Sequence, residues 1–242
     1  MKKIVESILL LAFLVSFKMA KAEMISRYVL IEVPGAPSVC KNESGALGFN
    51  QYSSEKDFLE AFHAEGSRNA ECANLSKLNL SGARLEGGSL RGVRGVKAKL
   101  SGALLAQSSF GQANLSGANL SRADIEDSEG VEAKLVSADL TGALLMHGIF
   151  VRANLSKANL FSADLEGINL TGANLQNAKL RNAKLINANL EGADLRGSDL
   201  RGADLSGATL ELTKLKGAKF NDQTLIGLSR EDALSLGMVH LK

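Results

Sequence analysis

The sequence predicts an all-β solenoid, a chain wound into square coils that stack along one axis. Three observations predict it. An apolar position recurs every five residues from 75 to 220 without insertion, giving 30 pentads in one frame, and Leu, Ile or Phe fills it in 28 of them. The position two before it is Ala in 21 of the 30. Aromatic residues make up only 5% of the chain, with no Trp, so the interior must be built from small and branched aliphatic groups. A period of five matches neither the 3.6-residue helix nor the two-residue strand. It matches a chain that turns a corner every five residues, so that four corners close a coil of about 20 residues. Stacked at the strand spacing, such coils form a rod on the order of 36 Å long.

The elements follow in chain order. Residues 1–22 read as a secretory signal peptide, with Lys2 and Lys3, an apolar run at 8–17, and the A-x-A site Ala20, Lys21, Ala22. The run is too short to span a bilayer. Lys18, just after it, leaves an uncleaved anchor or a buried N-terminal helix as the alternative. The mature chain is expected to begin near Glu23, in the periplasm or outside the cell, with no stable membrane insertion. The leader carries four Lys and one Glu, which leaves 24 basic and 25 acidic groups in the mature chain. No general attraction to nucleic acid or anionic membrane follows from that balance. Cys40 and Cys72 both survive export, where two Cys more often pair than not. A bridge between them would contribute about 3–4 kcal/mol by the chain-entropy account; two free or buried thiols are the alternative.

Residues 23–72 read as an N-terminal cap. A strand is expected at 25–33, then the turn "PGAP", then an amphipathic helix over 53–66. Ser54 serves that helix as N-cap with Asp57 at the third helical position, and Gly66 ends it. Residues 73–220 form the coils. Residues 221–242 form a C-terminal cap, with a short helix over 228–237 and Ser229 as its N-cap. That cap either closes the rod or offers an apolar end for homodimerisation, and the sequence does not choose between them. Terminal coils need covering because they expose unpaired edges.

The pattern A-[N/D]-L-x-x, as in "ADLRGSDLRGADLSGATL" at 193–210, resembles the pentapeptide-repeat family. The resemblance extends over about 62% of the chain. It implies a right-handed quadrilateral β-helix, here of about seven to eight coils. The family motif packs a core and holds no catalytic residue. Some members mimic DNA and bind type II topoisomerases through a strongly acidic surface. Residues 73–220 carry 18 basic and 14 acidic groups, so that reading stands as the alternative, disfavoured by charge and by the leader.

Within the frame, Gly130 stands between Phe110 and Phe150 at 20-residue spacing, and Gly95 follows a large Val93; both read as volume compensation. No nucleophile–base arrangement, zinc-ligand spacing or phosphate-binding glycine loop is visible. His63, His147 and His240 share no motif and are expected to be solvated. The reading is therefore not an enzyme, with no cofactor and no metal. Lys179, Asp199 and Lys219 are expected to stack as a self-pairing ladder, as are Asp164, Lys184 and Asp204. Arg91, Arg94, Lys97 and Lys99 read as a solvated face, with contact to an anionic partner as the alternative. One stretch departs from the polar exterior: Leu104, Val131, Leu144, Met146, Ile149 and Val151 occupy outward positions, bordered by Asp124, Glu126, Asp127, Glu129 and Glu132. This is the candidate protein-binding patch, the alternative being that long side chains merely cover adjacent coils. The sequence thus predicts an exported interaction or structural scaffold with an unidentified protein partner and no nucleic-acid ligand.

Overall fold

The computed structural model describes residues 52, 54–64, 68–76 and 78–241. The expected leader, the strand at 25–33, Cys40 and Gly66 lie outside them. Parallel bridges join each outward residue before a central one to its equivalent 20 residues on, from Asn69↔Ser89 through to Asp199↔Lys219. The chain is therefore a stack of four-sided coils in unbroken register. Both the central residue and the small one two before it point inward: Leu75, Leu85 and Leu140 are fully buried, and so are Ala73, Ala98 and Ala113.

Each pentad places its five N–H groups in a fixed way. Leu80 donates to the carbonyl of Lys99 in the next coil, and Leu104 donates back to Ala83 in the previous one. Gly82, just past the corner, donates to Ser101 of the next coil, and Ala83 closes the turn onto Leu80. That leaves the N–H after each central residue. Asn and Asp supply its acceptor from the side chain: Oδ1 of Asn74, Asn114, Asn174 and Asp194 each accept from the N–H two residues on. The Asn/Asp preference is thus an Asx bond to the one donor the coil ladder leaves over.

The corners are turns with a left-handed third residue. Every second residue after a central position from 82 to 217 has φ between 52° and 75°, as a type II turn requires. Gly fits there at no steric cost, and Asn, Gln, Lys and Arg are found as well. Leu212, at φ 56°, is the apolar exception.

Two helices flank the coils. Helix α1, Glu55–His63, starts at Ser54, whose Oγ accepts from the Asp57 N–H at 3.1 Å. It ends at Ala64, short of the span expected from sequence. Its Phe58 and Phe62 are buried, and their rings stack at 5.9 Å. Phe62 fills the space that Gly88 leaves open in the first coils, so that a Cβ on Gly88 would collide with its ring. At the other end, β1 (Lys219–Phe220) pairs in parallel with β2 (Val239–His240). Between them runs helix α2, Arg230–Ser235, capped by Ser229, whose Oγ accepts from the Asp232 N–H at 3.0 Å. One extra residue enters here, since Asp204 bridges Leu225 at a spacing of 21. Asn221 and Thr224 absorb it, with the Gly202 N–H bonded to Asn221 Oδ1 at 3.0 Å and Thr224 Oγ1 at 3.2 Å.

The irregular core positions resolve physically. Gly130 is filled by Phe150, whose ring occupies the place of a Cβ there; Gly148 yields to the same ring at 2.9 Å. Gly95 makes room for Leu115 Cδ2, which would lie 2.7 Å from an added Cβ, while Val93 stands farther off at 3.7 Å. The neighbour along the column, rather than Val93, is the compensating group. Ser108 and Ser128, buried in place of Ala, each donate Oγ–H to a carbonyl, Leu85 and Leu105 respectively, at 2.9 Å.

Restoring the motif at Gly130 should therefore harm the fold. Gly130→Leu is expected to cost about 1–3 kcal/mol through overpacking, read as a lower midpoint in urea denaturation, and Phe150→Leu in the same chain should recover most of it. An unchanged midpoint for Gly130→Leu alone would remove the compensation account. Phe62→Ala should cost about 3–5 kcal/mol, with proteolysis beginning at the N-terminal helix before the coils.

Candidate interaction surfaces

The mid-rod patch is only partly assembled. Leu144, Met146, Ile149 and Val151 fall within half a coil, and Val131 lies one coil below Val151. Leu104 stands apart, because the ladder runs Leu104↔Asp124↔Leu144 with the carboxylate between the two leucines. Leu144 is exposed at 37%, whereas the other five are half-buried along neighbouring coils. Leu104, Leu144 and Ile149 occupy the position where Asn or Asp would cap the next N–H, so each gives up an Asx bond. Beside them, the Glu126 carboxyl is pushed above its usual range, by burial first and then by Asp124 and Asp127, with His147 opposing. Glu132 in the same border is neutralised by Arg152 at 2.9 Å.

The charged columns depart from the expected ladders. Lys184 does pair with Asp164 at 2.9 Å. Lys179, Asp199 and Lys219 stand in register, yet Asp199 pairs with neither lysine. Arg201, two residues along the same strand, grips it through Nε at 2.8 Å and a terminal nitrogen at 2.6 Å. Two parallel bonds to a planar fork outcompete a lysine one coil away. The Arg201 hydrogen bond accordingly holds the Asp199 carboxyl below its ordinary range. Asp194 is held the same way by Arg196.

His240 is not solvated. Its Nε2 lies 2.7 Å from Asp222 Oδ1, its Nδ1 lies 3.2 Å from an Arg230 terminal nitrogen, and its ring meets Phe220 edge-on at 5.1 Å. An arginine donating to Nδ1 makes that nitrogen the acceptor, so Nε2 carries the proton toward Asp222. The histidine latches the last strand onto the turn at 221–224. His63 and His147 are exposed, as are Arg91, Arg94, Lys97 and Lys99.

The largest exposed apolar side chains collect at the C-terminal end: Leu212 at 81%, Leu225, Leu234, Leu236 and Val239. Sequence reading allowed an apolar end but missed Leu212, whose place at a corner normally held by Gly or a polar residue was the available signal. Cys72 is nearly buried, at a left-handed corner; the pairing expected with Cys40 lies outside the described residues. Among the described residues, no group of His, Cys, Asp and Glu could hold a metal ion.

Pentapeptide repeats, in eight copies, match residues 96–129, 108–145, 131–161, 149–185 and 183–222. No curated protein matches the sequence significantly. Among solved structures, the chain is similar to HetL, a pentapeptide repeat protein involved in heterocyst differentiation regulation from the cyanobacterium Nostoc sp. strain PCC 7120. Identity is 27% and the TM-score 0.26, over 72% of this chain and 100% of that one. It is also similar to Rfr23, a pentapeptide repeat protein from the cyanobacterium Cyanothece 51142, at 40% identity and TM-score 0.22, over 42% of this chain and 63% of that one. QnrB1, a plasmid-mediated fluoroquinolone resistance protein, gives 16% identity and TM-score 0.33 over 59% and 86%. A repeat match running from residue 96 to residue 222, more than half of the sequence, places the chain in the pentapeptide-repeat family, whose members fold as right-handed quadrilateral β-helices.

Proposed function

We propose that this protein is an exported, non-enzymatic scaffold: a rod of about seven to eight coils, closed by α1 and α2, that works by binding other proteins, including a second copy of itself. The observation that carries the reading is Leu212. A leucine in the left-handed region costs about 1 kcal/mol, and this one also leaves its side chain in water. Gly fills that corner position in many other pentads at no such cost. With Leu225, Leu234, Leu236 and Val239 it makes the last coils rich in exposed apolar side chains, and such side chains suit a contact surface. Homodimerisation through this end is the favoured occupancy. The patch around Leu144 is a second and smaller contact site. The DNA-mimic alternative gains no support from a coil surface with 18 basic and 14 acidic groups.

Leu212→Gly separates contact from stability. It should raise the thermal midpoint of the isolated chain, since φ 56° suits Gly. It should also shift the mass seen by light-scattering chromatography from dimer toward monomer, and Leu236→Lys should do the same. A wild-type chain that stays monomeric at high concentration overturns the dimer. Leu144→Lys with Ile149→Lys should keep the circular dichroism of the fold and remove a subset of the crosslinks to partners in the native compartment; unchanged crosslinks exclude the patch.

Export and the disulfide are read from one preparation. N-terminal sequencing should give a mature chain starting near Glu23 outside the cytoplasm, and peptide mapping without reductant should yield Cys40 joined to Cys72. A cytoplasmic chain that retains Met1, with both thiols reactive, overturns export.

A further inference from the structure

With Asp199 gripped by Arg201, three cations around it make no direct ion pair of their own among the described residues. These three, Lys179, Arg181 and Lys219, are exposed. They line one open concavity of about 590 Å³ on a single side of the rod, together with Phe161 and Asn159. Phe161 is 40% exposed and lies one coil below Arg181. Lys179 and Lys219 sit where Asn or Asp would make the Asx bond, and a lysine has no acceptor to make it with. Neither coil packing nor corner capping accounts for these residues.

The groove's geometry specifies its ligand. Its floor is the coil ladder, whose coil-to-coil N–H and C=O groups are already paired, so it offers no strand edge and recognition falls to side chains. Lys179 and Lys219 are two coils apart, about 10 Å along the axis. Carboxylates that share one face of an extended peptide recur about every 7 Å, a spacing that the long, flexible lysine side chains can span. Asp199, between the two lysines, presents no free charge because Arg201 holds both its oxygens. Phe161 supplies an apolar contact alongside. Single-stranded nucleic acid fits less well, since it stacks successive bases on several aromatic side chains and the groove holds one.

We propose that the face formed by Phe161, Lys179, Arg181 and Lys219 binds an extended acidic peptide segment of a partner protein, with carboxylates on the three cations and an apolar residue on Phe161. This rests on the scaffold reading and names the chemistry of one partner.

The test uses the full mature chain and a fluorescein-labelled Glu/Asp-rich peptide with one central Phe, followed by fluorescence anisotropy. Binding should weaken as salt rises to about 0.5 M. Lys179→Glu with Arg181→Glu should weaken it at least about tenfold, and Phe161→Ser should weaken it at constant net charge. Arg91→Glu with Lys134→Glu, the same charge change elsewhere on the rod, should leave it within about twofold. Equal losses in the two charge-reversed variants reduce the effect to net charge and overturn the site, as does absence of wild-type binding. Tighter binding of an oligothymidine at the same residues also overturns it, assigning the groove to nucleic acid. Failure here is separable from failure of the scaffold reading. If the groove variant still crosslinks to native partners as wild type does, the groove is wrong and the scaffold stands; if wild type crosslinks to nothing, the scaffold itself falls.

Discussion

The structure depends on one constraint: a backbone that turns every five residues must still find a partner for every N–H. Straight strands satisfy this with long ladders, and helices satisfy it locally. Here each face contributes a single bridge position, so most donors sit at or near a corner. The solution uses three devices at once. The left-handed residue after each corner aims its N–H at the next coil, the small residue closes the turn, and the Asx side chain takes the remaining donor. Where the Asx acceptor is missing, as at Leu144 and Lys179, the other two devices still meet their acceptors, because neighbouring pentads hold the 20-residue register. A single coil has no next coil to donate to, so the stack is stable only as a cooperative array.

The same constraint explains the behaviour of the ends. A coil stack finishes with donors and acceptors facing outward, and something other than another coil must take them. At the N-terminal side, the Phe62 carbonyl accepts from the Arg68 N–H while its ring occupies the room above Gly88, so the helix is keyed to one position in the core. At the C-terminal side the chain keeps the 20-residue register through β1 and β2 while replacing part of the last coil with α2. The Asp222–His240–Arg230 contacts hold that replacement in place. Among the described residues nothing equivalent covers Leu212 or Leu225, and their exposure follows from that difference.

Much of the fold was legible because the core positions are periodic and chemically narrow. The pentad frame, the four-sided coil, the register of 20 and the pairing of Gly130 with a bulky neighbour all follow from counting. Surface electrostatics were legible only in part. Counting placed Lys179, Asp199 and Lys219 in one column correctly, but a column fixes Cα positions, not side-chain partners. An arginine two residues away, free to lie flat against the strand, reaches Asp199 with two bonds where a lysine offers one. His240 was misread for a related reason: its partners Asp222 and Arg230 are brought to it only by the irregular last coil, which has no repeat to count. Phe161 went unnoticed as well, since one aromatic at an outward position has no periodic signature.

These misses share a location, and the location is informative about function. Inward positions answer to the coil alone, which is why the motif that defines the family is silent about binding. Outward positions answer to the coil only through the Asx bond and the corner's left-handed angle. A residue that ignores both rules without an evident structural return marks a place where some other requirement acts. Asp164 and Lys184 repay each other with an ion pair. Lys179, Lys219, Leu144 and Leu212 receive no such return within the described chain. The coil tolerates them because neighbouring pentads hold the register, and that tolerance is what lets a repetitive rod carry a non-repetitive surface.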